Sequence, residues 1–289
     1  MKKILFLLPV IIAFAIGSVS CNSDDTDEPM LIVKFRFDPN QARLNNLGAP
    51  VPIASGNAAQ TPAFNTISSH YLEFAQTAYT QLGEGTVLYH APETTQGGAN
   101  AIDFSQSKIV SEGEVFLKIP LRSVTAGTYR YVRCSLGYQN FGISVRSNGA
   151  DYDGTLASFV GFNTYIGTHS IGNNFFTVDG NRAQGYWAFA LDDVPYQTSG
   201  QAPAGATTVP NPLAATSAIP PGSCVVTGQF LNDLQITGNE TDDVVVTLSL
   251  SVNHSFEWHE INADGKFEPA IGENVVDMGL RGLIPSFEQ

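Results

Sequence analysis

Five histidines are the side chains of this sequence best suited to binding a transition metal: His70, His90, His169, His254 and His259. Imidazole nitrogen binds copper, zinc, iron and nickel, and a site for one of these ions collects two or three histidines from distant strands. His254 and His259 are five residues apart. On an ideal strand they would point to opposite faces and could not bind one ion unless a bulge intervened.

His254 is expected to point inward, because it shares strand parity with the apolar residues Val252, Phe256 and Trp258. A single inward histidine is either a metal ligand or a hydrogen-bonded core residue. His70 lies beside Tyr71 in a second aromatic stretch. Sequence spacing does not show which of the histidines converge.

The segment after His259 has the ligand order of a calcium loop. Oxygen-bearing side chains stand at positions 1, 3, 5 and 9 of such a loop, namely Glu260, Asn262, Asp264 and Glu268. Gly265 provides the sharp turn, but position 12 is Ile271 rather than the usual glutamate. The Asp-Gly pair between apolar residues also predicts a plain hairpin turn, which needs no ion. Both interpretations remain open.

A third chemistry is suggested by aromatic side chains. Tyr186 and Trp187 combine a flat apolar face with a polar group, and such side chains can stack on sugar rings. They are candidate glycan-binding residues. Strand alternation places Trp187 and Phe189 on one face, which fits a packed core equally well.

Signatures of catalysis are missing from the sequence. It has no G-x-S-x-G, Walker or C-x-x-C motif, and the zincin-like start at His259-Glu260 lacks its second histidine because position 263 is Ala. We therefore expect a protein that is not an enzyme. The net charge of −13, from 14 basic and 27 acidic residues, disfavours a nucleic-acid partner.

The N-terminus predicts export and lipid attachment. Lys2 and Lys3 precede an apolar run over residues 4–16, small residues follow, and then comes Cys21. We read residues 1–20 as a lipoprotein signal peptide, Cys21 as the lipidation site and residues 21–30 as an acidic tether. This predicts an outer-membrane lipoprotein that is held in the membrane by its lipid anchor and faces the cell surface.

The other two cysteines are candidates for a disulfide. Cys134 and Cys224 both lie in strand-like runs, and an exported protein meets an oxidising compartment. The alternative is a pair of separate buried thiols, which pack as small hydrophobic side chains.

These side chains must be positioned mainly by strands. Residues 31–38 and 244–252 alternate apolar and polar positions, and runs rich in Phe, Tyr, Val and Thr are bounded by Gly, Asn and Pro. No window of a dozen residues has helical periodicity. The sequence predicts an all-β, antiparallel, jelly-roll-like β-sandwich forming a single domain over residues 31–289, with a long loop near residues 195–222.

Several short motifs resemble the MbnP-like domain family. They are the opening strand and turn, a central strand, a GTY turn and a strand that ends in Gly, at residues 31–38, 44–48, 115–120, 126–129 and 135–137. The similarity covers roughly residues 31–140 and the strand near 244–258.

The resemblance implies an exported β-sandwich protein that binds copper through histidines and an oxidised tryptophan. On that basis His70, His254, His259 and Trp258 are the copper candidates. The expected function is that of a surface lipoprotein that binds a metal ion, copper by resemblance or calcium through the Glu260 loop. The alternative is a glycan-binding or adhesive surface lipoprotein.

Overall fold

The computed structural model describes residues 28–202, residue 217 and residues 219–289. The predicted signal peptide, Cys21 and most of the acidic tether lie outside the described residues, as does the middle of the predicted loop near residues 195–222. Nothing in the described part of the chain tests them.

Strands make up the regular structure of the described chain, with three single-turn 3-10 helices and no α-helix. The strands are β1 (Met30–Asp38), β2 (Asn57–Gln60), β3 (Ala63–Ala75), β4 (Thr86–His90), β5 (Glu93–Thr94), β6 (Ala101–Asp103), β7 (Val115–Pro120), β8 (Gly127–Ser147), β9 (Ala150–Phe159), β10 (Asn163–Ile171), β11 (Asn174–Ala183), β12 (Tyr186–Leu191), β13 (Gln197–Gln201), β14 (Cys224–Ile236), β15 (Val244–Ser251), β16 (Phe256–His259), β17 (Val275–Met278) and β18 (Leu283–Glu288). The 3-10 helices are Phe104–Gln106, Leu121–Ser123 and Pro269–Ile271. The predicted all-β fold class is confirmed.

The strands form four sheets. Their orders are β18-β15-β1-β7, β11-β10-β6-β5, β13-β12-β9-β8-β3-β4 with β14 also paired to β8, and β17-β16-β2. Most pairs are antiparallel, as the sequence predicts, but β1–β15 and β6–β10 are parallel. No helix in the described residues is long and apolar enough to cross a bilayer.

The alternating apolar residues of the sequence are the ones that are buried in the strands. In β1, Leu31, Val33, Phe35 and Phe37 are buried and the intervening residues are not. Residues 244, 246, 248 and 250 of β15 follow the same alternation and pair with β1 in register. These two strands contribute to the largest apolar cluster of the described chain. Its burial is the main driving force for packing this sheet against the seven-stranded one.

The long strand β8 divides its pairing between partners. β3 pairs along one edge, while the other edge pairs first with β14, up to Leu136, and then with β9, from Tyr138 onward. The edge therefore changes partner around Gly137, and the start of β14 separates from the end of β9 there. We call this position the β8 fork.

Candidate functional site

Two histidines and a glutamate converge beside the β3–β4 pair. His70 lies in β3, His90 ends β4, and Glu93 begins β5 after a short connection. The His70 Nε2 atom is 3.0 Å from Glu93 Oε1, and the His90 Nε2 atom is 3.4 Å from the same oxygen. One ligand atom from each residue lies within 4.8 Å of the others. This is the only such group of three or more His, Cys, Asp or Glu residues within the described ranges.

Local sequence explains how these residues meet. Antiparallel pairing of β3 with β4 places Tyr71 opposite His90, so His70 and His90 lie one position apart across the pair. The backbone N–H of Ala91 donates to the His70 carbonyl at 2.7 Å, which fixes the end of β4. Glu93 follows His90 by three residues, and its carboxylate turns back toward both rings.

The site runs from the interior to the surface. The His70 side chain is completely buried, Glu93 is about one-fifth exposed, and the His90 side chain is 43% exposed. The His70 ring lies between His90, at 4.9 Å between centroids, and Phe162, at 5.2 Å. One side of the site is thus held by packing and the other is open to solvent.

Electrostatics favour the protonation states that a metal requires. The hydrogen bond with His70 lowers the pKa of Glu93, and Asn100 reinforces this by donating from Nδ2 to Glu93 Oε2 at 2.6 Å. Partial burial lowers the pKa of His90, and the neighbouring His70 lowers it further. Near neutral pH, Glu93 is an anion and His90 is neutral. Metals bind these forms of the two side chains.

The donor set is two nitrogens and one oxygen. Ligand atoms at about 2.0–2.1 Å from one small divalent ion lie about 3.0–3.4 Å apart. The distances from Glu93 Oε1 to the two ring nitrogens fall in that range. One ligand atom from each of the three residues lies within 4.8 Å of the others, and the half-exposed His90 is the least constrained of the three. Such a set suits copper, zinc, iron or nickel, while calcium takes oxygen ligands.

Of the predicted copper ligands, only His70 belongs to this group. His254 is exposed, and the prediction that it points inward is wrong. β15 ends at Ser251, and His254 lies in the following turn with a φ of 49°, so strand parity does not continue through it. Its Nδ1 contacts Asn253 Oδ1 at 2.6 Å.

His259 and Trp258 also lie outside the group. His259 is exposed at the end of β16. Trp258 is completely buried and packs against Phe256 and Phe267 in an apolar cluster. The structure therefore brings none of the three C-terminal copper candidates to His70.

The predicted calcium ligands are engaged with the protein itself. Glu260 Oε1 accepts hydrogen bonds from the backbone N–H groups of Asp264 and Gly265, at 3.0 and 2.7 Å. Asp264 Oδ2 pairs with Arg146, and Asn262 Nδ2 donates to Glu268 Oε2 at 2.9 Å. The four side chains hold the loop between β16 and β17 in place. The prediction of a plain hairpin turn at Asp264-Gly265 is wrong, because β16 ends at His259 and β17 begins only at Val275.

Glu273 organises this loop, and the sequence reasoning missed it. It is buried, and its carboxylate accepts from the backbone N–H groups of Ile261, Asn262 and Glu268. Three charge-assisted hydrogen bonds to backbone donors compensate its burial.

The predicted disulfide is absent, because Cys134 and Cys224 are free thiols. They lie on paired strands, but Cys224 is opposite Leu136 and Cys134 is opposite Val226. Residues offset by two positions in this way are about 7–8 Å apart, with their Cβ atoms somewhat closer. The Cα atoms of a disulfide are usually about 4.4–6.8 Å apart.

The two predicted glycan-binding residues, Tyr186 and Trp187, point to opposite faces of β12. Tyr186 is buried in an apolar cluster on one face of β12, so its predicted exposure is wrong. Trp187 points to the opposite face, is half-buried and lines a cavity with Phe189.

His90 and Glu93 are the functional candidates that sequence reasoning did not select. The signal that could have found them is the His-x-x-Glu spacing at the end of a strand that pairs with the strand of His70.

Comparison of the chain with known protein families, with curated proteins and with solved structures found no match. The resemblance to MbnP-like domains therefore stays a prediction.

Proposed function

We propose that this protein is a lipid-anchored, surface-facing β-sandwich protein that binds a transition-metal ion, copper(II), without catalysing a reaction. The observation that carries the proposal is the convergence of His70, His90 and Glu93 on one point that is open to solvent on one side.

Copper(II) is favoured over the other ions for a thermodynamic reason. For a given set of nitrogen and oxygen ligands, affinity for divalent first-row metals rises to a maximum at copper(II) and falls again at zinc. The donor set supports this choice independently of the family resemblance. Zinc is the ion that must be shown to bind more weakly.

Metal binding is tested by titrating the full chain, in lipid nanodiscs, with copper(II) and zinc(II) by calorimetry. We expect one equivalent of copper(II) to bind, and zinc(II) to bind more weakly. The His90→Ala substitution removes a half-exposed ligand with little effect on packing, and it should reduce copper affinity at least about tenfold.

His254→Ala and His259→Ala are the matched controls, since each removes an exposed histidine outside the group. Both should keep the affinity of the parent protein. The proposal is wrong if the parent binds no copper, or if a control variant loses as much affinity as His90→Ala.

The location is proposed from the N-terminal sequence, and its test is separate. A Cys21→Ser variant should lose incorporation of labelled fatty acid, and protease added to intact cells should degrade the parent protein. Protection of the parent from protease would place it on the inner side of the outer membrane.

A further inference from the structure

A large cavity opens at the β8 fork, away from the His70 group. Its volume is about 1130 Å³, slightly larger than the roughly 300–1,000 Å³ that is usual for small-molecule sites. The strands explain its position. At the fork, β9 and β14 separate, and residues 273–282 line the cavity there.

The walls of the cavity are mainly apolar. Alternation along β12 points Trp187, Phe189 and Leu191 into it, and Phe256 and Phe267 contribute on another side. Apolar and aromatic walls with few polar groups are typical of sites that bind small molecules. The hydrophobic effect would favour an apolar occupant over water in such a space.

Two buried polar side chains of the lining lack hydrogen-bond partners. Gln139 and Ser158 are each 1% exposed, and neither Gln139 Oε1 nor Ser158 Oγ has a partner. They lie directly opposite each other on β8 and β9, so they face the cavity side by side. Unpartnered buried groups of this kind cost about 1–3 kcal/mol each, which a ligand could recover.

The hydrogen bonding of the Gln139 amide leaves its side-chain oxygen free to accept a hydrogen bond. Its amide nitrogen donates to the Met278 carbonyl at 2.7 Å, which orients Oε1 as a free acceptor. The Ser158 hydroxyl can donate or accept. A ligand hydroxyl that donates to Gln139 and accepts from Ser158 would satisfy both residues.

Charged residues in the lining are already compensated. Arg281 pairs with both Asp277 and Glu257, and Arg146 pairs with Asp151 and Asp264. Glu273 is engaged by backbone amides, as described above. The Arg281 Nε–H is a further unpartnered donor, but its guanidinium charge is balanced. A charged ligand would have no free counter-charge in this lining, and burying its charge would be costly.

We propose that this cavity binds an uncharged, largely apolar small molecule through one hydroxyl group, which hydrogen-bonds to Gln139 and Ser158. The size of the cavity admits a molecule as large as a lipid alcohol. This inference does not depend on metal binding.

The test uses three ten-carbon probes that differ only in the head group: 1-decanol, decanoate and decylammonium. Each is titrated into the full chain in lipid nanodiscs, with empty nanodiscs as the blank. We expect 1-decanol to bind at least about tenfold more tightly than either charged probe, because a charge without a partner pays the cost of desolvation.

Two serine variants separate a specific contact from general packing. Ser158→Ala removes the cavity hydroxyl and should weaken 1-decanol binding about fivefold, the effect of one hydrogen bond. Ser135→Ala is the matched control, because Ser135 is also buried and unpartnered but does not line the cavity. It should leave binding unchanged.

Three results would overturn the proposal. They are no saturable binding of 1-decanol, equal binding of the charged probes, and equal effects of the two serine variants. Near-ultraviolet circular dichroism of both variants establishes that they are folded.

Discussion

Acidification from pH 7 to pH 5 should destabilise this protein through one residue, His169. The His169 side chain is buried, and neither ring nitrogen has a hydrogen-bond partner. Its ring stacks on Phe176 and packs against Phe159 and Phe104. Burial lowers the pKa of His169 from 6.5 to about 4, because the charged imidazolium loses its hydration in this aromatic surrounding.

The sign and size of the effect follow from proton linkage. Between pH 6.5 and pH 4 the unfolded chain binds a proton at His169 and the folded chain does not, so the free energy of unfolding falls as the pH falls. The full effect is about 3 kcal/mol, and about 2 kcal/mol of it is lost between pH 7 and pH 5. Other groups also titrate, so the contribution of His169 must be isolated by a variant.

His169→Phe keeps an aromatic ring of similar size and removes the titrating group. Urea unfolding at pH 7 and pH 5 gives the loss of stability for the parent and for the variant. We expect the loss to be about 2 kcal/mol smaller in the variant. An equal loss in both proteins would refute the assignment of the pH dependence to His169.

Three further predictions concern Cys134, Trp258 and the buried ion pair between Arg43 and Glu257. Alkylation of the native protein at pH 8, mapped by mass spectrometry, should leave Cys134 unmodified, because burial raises the pKa of its thiol to about 12. Rapid modification of Cys134, or a disulfide in the purified protein, would contradict a free buried thiol. Trp258→Ala removes a completely buried side chain and should lower the free energy of unfolding by about 3–5 kcal/mol. Copper affinity measured on the folded variant should stay unchanged. A loss of copper binding would show that Trp258 belongs to the metal site. Glu257→Ala leaves Arg43 without its buried partner and should lower the free energy of unfolding, measured in urea, by about 3–5 kcal/mol. A decrease below about 1 kcal/mol would show that this ion pair is solvated.

The sequence predicted the positions of individual strands better than the way in which the strands pair. Alternating apolar residues in β1 and β15 were sufficient to predict two strands and their buried faces. That these strands pair in parallel could not be predicted, because pairing depends on the path of the chain between them.

The candidate site shows the same limit. His70 was found because its residue type is informative, but its partners come from β4 and the start of β5, some twenty residues away. His254 was misplaced because parity holds only while a strand continues, and the turn after Ser251 ends it. The two polar residues of the cavity, Gln139 and Ser158, have no sequence signal at all, since only strand pairing brings them together.

Pulsed electron paramagnetic resonance of the copper(II)-loaded full chain tests the central claim most directly, because it counts the imidazoles bound to the ion. We predict two imidazoles in the parent protein and in His259→Ala, and one in His90→Ala. A signal from fewer than two imidazoles in the parent, or an unchanged count in His90→Ala, would contradict a copper site made by His70, His90 and Glu93.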